Sequence, residues 1–169
     1  MDKPEDYSEE AMTKIAKKYS KEADSINQSR TTNLTDNTVI MVLSETFSDP
    51  TRVPGVSFAE DPMPNIRQIK SETTSGLMLS PGYGGGTANI EYQALTGLSM
   101  ANYSDTLSIA YQQLVPGQKW DQSLNQLWNE KNGEDSSVAF HAYNRGMYFR
   151  DINYKKFEFS KFYVTDGTP

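Results

Sequence analysis

The sequence predicts an α/β fold with a mostly parallel sheet flanked by helices. Three observations predict it. The run TVIMVL (38–43) is β-branched and apolar without alternation, the pattern of a strand buried on both faces. The run SVAFHAY (137–143) reads as a second strand. Helical spacing appears before and between them: Met12, Ile15, Tyr19 and Ile26 share one face of 6–28, and Trp120, Leu124, Leu127 and Trp128 share one face of about 119–131.

The remaining elements follow in chain order. Asp6 and Glu9 suit a capping box at the start of the first helix, which packs as a leading element or linker. SRTTNLTDN (29–37) is a polar linker, so the chain divides into a leading helix and linker (1–37) and a main domain (38–169). Pro50, Pro54, Pro62 and Pro64 make 48–65 a loop. Residues 66–80 hold either a helix start or a short strand. In SPGYGGGTANIEYQALTGLS (80–99) the glycines form a loop, Thr87 or Asn89 starts a helix, and Gly97 ends it. Residues 144–163 alternate aromatic and basic side chains.

Composition excludes several classes. The 169 residues hold no cysteine, which removes disulfide scaffolds, cysteine nucleophiles and thiolate metal sites. A net charge of −6 makes nucleic acid an unsuitable partner. At 36% hydrophobic and 11% aromatic, the chain is polar for a globular domain yet too aromatic for disorder. No apolar run approaches the roughly 18–20 residues that span a bilayer. The acidic opening MDKPEDYSEE has no signal-peptide pattern.

Three constellations can carry chemistry. Glu45 follows the first predicted strand, at the edge where open α/β sheets bind ligands, and a carboxylate there can hold a divalent cation. The bland alternative is a surface acid. Thr87 follows Gly84, Gly85 and Gly86 at a predicted helix start, where amide donors and the helix dipole favour an anion or an alkoxide. It is not a P-loop, because no lysine precedes it, and an ordinary N-cap is the plainer reading. The lone histidine, His141, lies in the second strand, with Tyr148 and Arg150 following. An arginine fork suits phosphate and an aromatic wall suits a small polyol. Ser48-Asp49-Pro50-Thr51-Arg52 fits the S-x-P-x-R pattern of formylglycine sulfatases, with Ser48 as the nucleophile. It lies too close to Glu45 for that layout, and Thr87 fits it better.

Taken in order, VIMVLSETFSDPTRVPGV, SPGYGGGTANIEYQALTGLS and FHAYNRGMYFRD with KKFEFSKFY resemble the lipoteichoic acid synthase family, the phosphoglycerol transferases of the sulfatase and alkaline phosphatase superfamily. The resemblance covers about 38–163 and implies an alkaline-phosphatase-like sheet, of which this chain is the N-terminal portion. It implies that Glu45 and Thr87 bind a divalent metal, Mn²⁺ or else Mg²⁺, and that Thr87 is the nucleophile. It also implies that His141, Tyr148 and Arg150 contact glycerol phosphate. Tyr148 stands where many members have Trp, and Tyr143 where some have an acid. The family completes its metal with an Asp-His pair, which is absent here, so this chain alone is expected to be inactive.

The implied reaction moves glycerol phosphate from phosphatidylglycerol to a glycerol-phosphate polymer or a glycolipid. The implied setting is the outer face of a Gram-positive cell membrane, with an anchor outside this chain. Phosphoethanolamine transfer and sulfate-ester hydrolysis use the same scaffold. A non-catalytic surface module for anionic glycans or lipid head groups is the alternative from another class.

Overall fold

Two parallel strands joined through a helix form the centre of the fold. In this computed structural model, residues 5–44, 46–78, 80–82 and 86–165 are described. Strand β1 (Val138–His141) pairs with β2 (Lys161–Val164), in the register Val138 to Lys161 and His141 to Val164. The connection carries helix α6 (Arg150–Lys156), giving a β-α-β unit. Phe140 stacks on Tyr163 on the outer face, centroids 5.4 Å apart. On the other face Phe162 meets the Tyr154 ring at 4.7 Å. Strand β1 was anticipated. Strand β2 was not: its four residues alternate exposed and half-buried, and the neighbouring lysines and aromatics obscure that short signal.

Helix α1 (Glu9–Asn27) fits its predicted span. Its cap is Ser8, whose Oγ accepts from the Ala11 N–H at 3.1 Å, rather than the Asp6–Glu9 box. No residue of α1 is buried, and Met12, Ile15, Tyr19 and Ile26 all stand exposed. Helix α2 (Pro64–Glu72) resolves the ambiguity at 66–80 and opens on a proline, which suits a first helical position. Among the described residues no helix is long and apolar enough to cross a membrane.

The predicted first strand does not form. Described residues 38–44 adopt no regular element, and Ile40 and Val42 are 84% and 81% exposed. The composition suits a strand, but a strand exists only with a hydrogen-bonded neighbour, and none of the described residues supplies one. The segment is joined to the body just before it: the Trp128 indole N–H donates to the Asn37 carbonyl at 2.9 Å, and Lys131 pairs with Asp36.

Helix α3 (Thr87–Thr96) ends on Gly97, whose φ of 72° is the left-handed cap that glycine adopts without cost. Helix α4 (Ala110–Gln113) is latched to it by Asn89, which accepts from the Ala110 N–H at 3.0 Å and donates to the Ser108 carbonyl at 2.7 Å. Helix α5 (Gln126–Asn132) is shorter than the predicted 119–131. Donors before it are engaged elsewhere. The Leu124 N–H bonds to the Leu95 carbonyl at 2.7 Å, and the Ser123 hydroxyl to the Phe157 carbonyl at 2.8 Å. Tertiary bonds there override local helical spacing, and Trp120 lies outside the helix.

The core centres on Tyr111, fully buried and edge-on to Tyr92 (6.5 Å) and Tyr154 (6.4 Å), with Phe157 at 5.8 Å. Burial pushes the Tyr111 hydroxyl well above the usual phenol range. Asn153, also fully buried, donates to the carbonyls of Tyr111 (2.9 Å) and Tyr148 (3.0 Å), tying α4 to the segment before α6. Replacing it strands two carbonyls away from water. Asn153→Ala should cost about 2–4 kcal/mol in a denaturant titration. A loss below about 0.5 kcal/mol would show that neither carbonyl depends on Asn153.

Candidate active site at the start of helix α3

Thr87 is the first residue of α3 and half-buried, with Gly86 at the cap position. The cap position thus falls on Gly86, one residue before Thr87. The preceding loop lies close against the helix: a Cβ at Gly82 would meet the Ile90 side chain, which would have to shift to admit it. Glu45, with Tyr83, Gly84 and Gly85 of the loop, lies outside the described residues.

One turn after Thr87, on the same face of α3, stands Glu91. Its carboxylate is the partner of Arg150. The Arg150 Nε donates to Oε2 at 2.9 Å and Nη2 to Oε1 at 2.6 Å, while Nη1 bonds to the Met147 carbonyl at 3.1 Å. Arg150 is 1% exposed. Burial works against its charge, but the two-point contact with Glu91 more than compensates and raises its pKa. Tyr154 adds a third donor to Glu91, its hydroxyl lying 3.1 Å from Oε2. Burial, reinforced by the Glu91 charge, raises the Tyr154 pKa, so this hydroxyl keeps its proton.

Sequence reasoning pictured Arg150 open to a ligand. The structure encloses it and, among the described residues, assigns three of its five N–H donors, leaving one on Nη1 and one on Nη2. Tyr148 covers the guanidinium, its ring centre 5.4 Å away. The backbone that achieves this is strained: Tyr148 and Phe149 have φ of 56° and 57°, a conformation costly for aromatic residues. His141 is the last residue of β1, at the carboxyl end where parallel sheets bind ligands. Its Nδ1 is buried without a hydrogen-bond partner among the described residues.

Glu91 lies in the segment SPGYGGGTANIEYQALTGLS, where the sequence motifs assign no role to that position. The signal was available: a carboxylate four residues after a candidate nucleophile on one helix shares its face.

The S-x-P-x-R segment has a structural explanation. Asp49 caps the turn Pro50–Arg52, accepting from the Thr51 N–H (3.0 Å) and hydroxyl (2.7 Å). Arg67 of α2 bonds both Asp49 oxygens, at 2.9 and 3.2 Å, and Asp61 at 2.7 Å. Ser48 is exposed. Among the described residues no three His, Cys, Asp or Glu side chains converge on a possible metal position. Those residues do not fit a divalent cation by themselves.

Residues 37–168 match the Sulfatase family, and the chain belongs to it. It is 40% identical to the Streptococcus pyogenes phosphoglycerol transferase GacH, solved in complex with sn-glycerol-1-phosphate, with a TM-score of 0.86 over 99% of this chain and 43% of that one. It is also 38% identical over 132 residues to a Rhizobium meliloti (strain 1021) protein described, provisionally, by cyclic beta-1,2-glucan modification; the match covers 78% of this chain. The chain thus spans less than half of the one relative and 19% of the other.

The Asp49–Arg67 clamp carries a pH signature. The Arg67 hydrogen bonds, with those from Thr51, hold the Asp49 carboxyl well below the usual carboxylate range. A depressed folded-state pKa contributes stability above the unfolded value of about 3.9, lost as pH falls toward the folded one. The stability gap between wild type and Arg67→Met should be present at neutral pH and shrink as pH falls from about 5 to 2. A gap constant over that range would mean Arg67 acts through packing alone.

Proposed function

We propose that this chain forms part of a phosphoglycerol transferase acting in the cell envelope, with Thr87 as its nucleophile. The observation that supports this most is the agreement, over nearly the whole chain, with a phosphoglycerol transferase holding sn-glycerol-1-phosphate. The donor would be phosphatidylglycerol. Thr87 Oγ1 attacks phosphorus, the bond from phosphorus to the diacylglycerol oxygen breaks, and that oxygen leaves with a proton. A hydroxyl of the acceptor then attacks phosphorus, the bond from phosphorus to Thr87 Oγ1 breaks, and the acceptor's own hydroxyl proton passes to Oγ1. Splitting one displacement into two lowers each barrier.

In this reading His141, Tyr148 and Arg150 surround the glycerol phosphate. His141 offers its unpartnered Nδ1, Tyr148 an apolar wall, and Arg150 its two remaining N–H donors. A divalent cation, Mn²⁺ or Mg²⁺, belongs to the reading with Glu45 and Thr87 among its ligands, and the other ligands are not found among the described residues. The description of the Rhizobium relative favours a sugar hydroxyl, on a glycan or glycolipid, as acceptor over a glycerol-phosphate chain end. The setting proposed is the outer face of the membrane.

In the full-length protein, Thr87→Ala should lower turnover of phosphatidylglycerol by roughly 10³-fold or more. Its stability should fall by no more than about 1 kcal/mol, the size of one lost hydrogen bond. Mass spectrometry of the wild-type protein mixed with donor should find one phosphoglycerol on the peptide containing Thr87. Near-normal turnover by the Thr87→Ala protein would remove Thr87 from the mechanism.

A further inference from the structure

We propose that Glu91 is a positioning residue that fixes Thr87 and Arg150 relative to each other; this rests on Thr87 being the nucleophile. Four observations carry it. First, Glu91 lies one turn from Thr87 on the same face of α3, a rigid connection through one helix. Second, its carboxylate takes the Nε and one Nη2 donor of Arg150 in a two-point contact, which sets the plane of the guanidinium as well as its distance. Third, the Tyr154 hydroxyl holds Oε2 from α6, so the carboxylate is fixed from two positions on that helix. Fourth, Arg150 follows directly on Tyr148 and Phe149, both left-handed, and a strained link keeps its geometry only where its surroundings determine it.

The consequence is geometric. Among the described residues one Nη1–H and one Nη2–H of Arg150 have no partner, and the Glu91 contact dictates where they point. Glu91 is partly buried beneath this contact, its side chain 12% exposed, and it touches Arg150 and Tyr154 and acts through them. A shift of about 1 Å between attacking group and phosphate holder is enough to cost roughly a hundred-fold in rate. The effect should therefore fall on kcat, since ground-state affinity tolerates such shifts better than attack does.

The test uses the full-length protein and two substitutions. Glu91→Asp keeps the charge that a buried arginine needs but retracts the carboxylate by one methylene. Glu91→Gln keeps the shape and removes the charge. Thermal unfolding reads folding, and steady-state kinetics with phosphatidylglycerol vesicles read kcat and KM separately. We expect Glu91→Asp to stay folded and lose about ten-fold or more in kcat with KM within about three-fold. Glu91→Gln should lose at least as much activity per folded molecule. Wild-type kcat in Glu91→Asp overturns the proposal, and so does a change confined to KM. An unfolded Glu91→Asp protein overturns it too, because the pair would then be a folding element only. A wild-type protein without transfer activity, or an active Thr87→Ala, marks the failure of the transferase reading instead.

Discussion

The Glu91–Arg150 ion pair is the constraint on which the described structure depends. Arg150 is buried, and a buried guanidinium without a carboxylate would cost several kcal/mol. Glu91 removes that cost with two bonds in one plane, and Tyr154 contributes a third donor to the same carboxylate. The partners are 59 residues apart, one on the helix that opens with Thr87, the other on the helix between the two strands. One contact therefore joins the two halves of the proposed site.

The path of the chain into α6 follows from that contact. Two consecutive aromatic residues in the left-handed region cost on the order of 1–3 kcal/mol each. The bonds that hold them are specific. Asn153 takes the Tyr148 carbonyl, Arg150 takes the Met147 carbonyl, and the guanidinium sits beneath the Tyr148 ring. Each charge-assisted or buried bond is of a size to offset part of the strain. The reward for this geometry is an arginine aimed back at α3 rather than outward, next to an aromatic wall that a glycerol moiety can lie against.

Local patterns made much of this readable in the sequence. The Gly-rich loop before Thr87 and the glycine after Thr96 bracket α3 closely, because both are backbone rules that tertiary context seldom overrides. The strand at 137–143 was legible from its apolar run. Long-range pairing was not. Nothing local to TVIMVL says whether a neighbour will pair with it, and here its side chains face solvent. Trp120 fits a helical face, yet the donors around it bond to Leu95 and Phe157, far away in sequence. The same limit hid the partner that Glu91 holds. A motif marks Thr87, His141 and Arg150 as candidates, but only three-dimensional contact shows that Arg150 is already held and by which residue.

A double-mutant cycle on the ion pair tests this account most directly. In the full-length protein, Glu91→Gln, Arg150→Gln and the double variant would be compared by urea unfolding. The account predicts that each single variant loses about 3–5 kcal/mol, since each leaves a buried charge alone. The double variant should lose clearly less than the sum, with a coupling of about 1.5 kcal/mol or more. Losses that add to within about 0.5 kcal/mol would mean that the two side chains do not depend on each other, and the constraint described here would not exist.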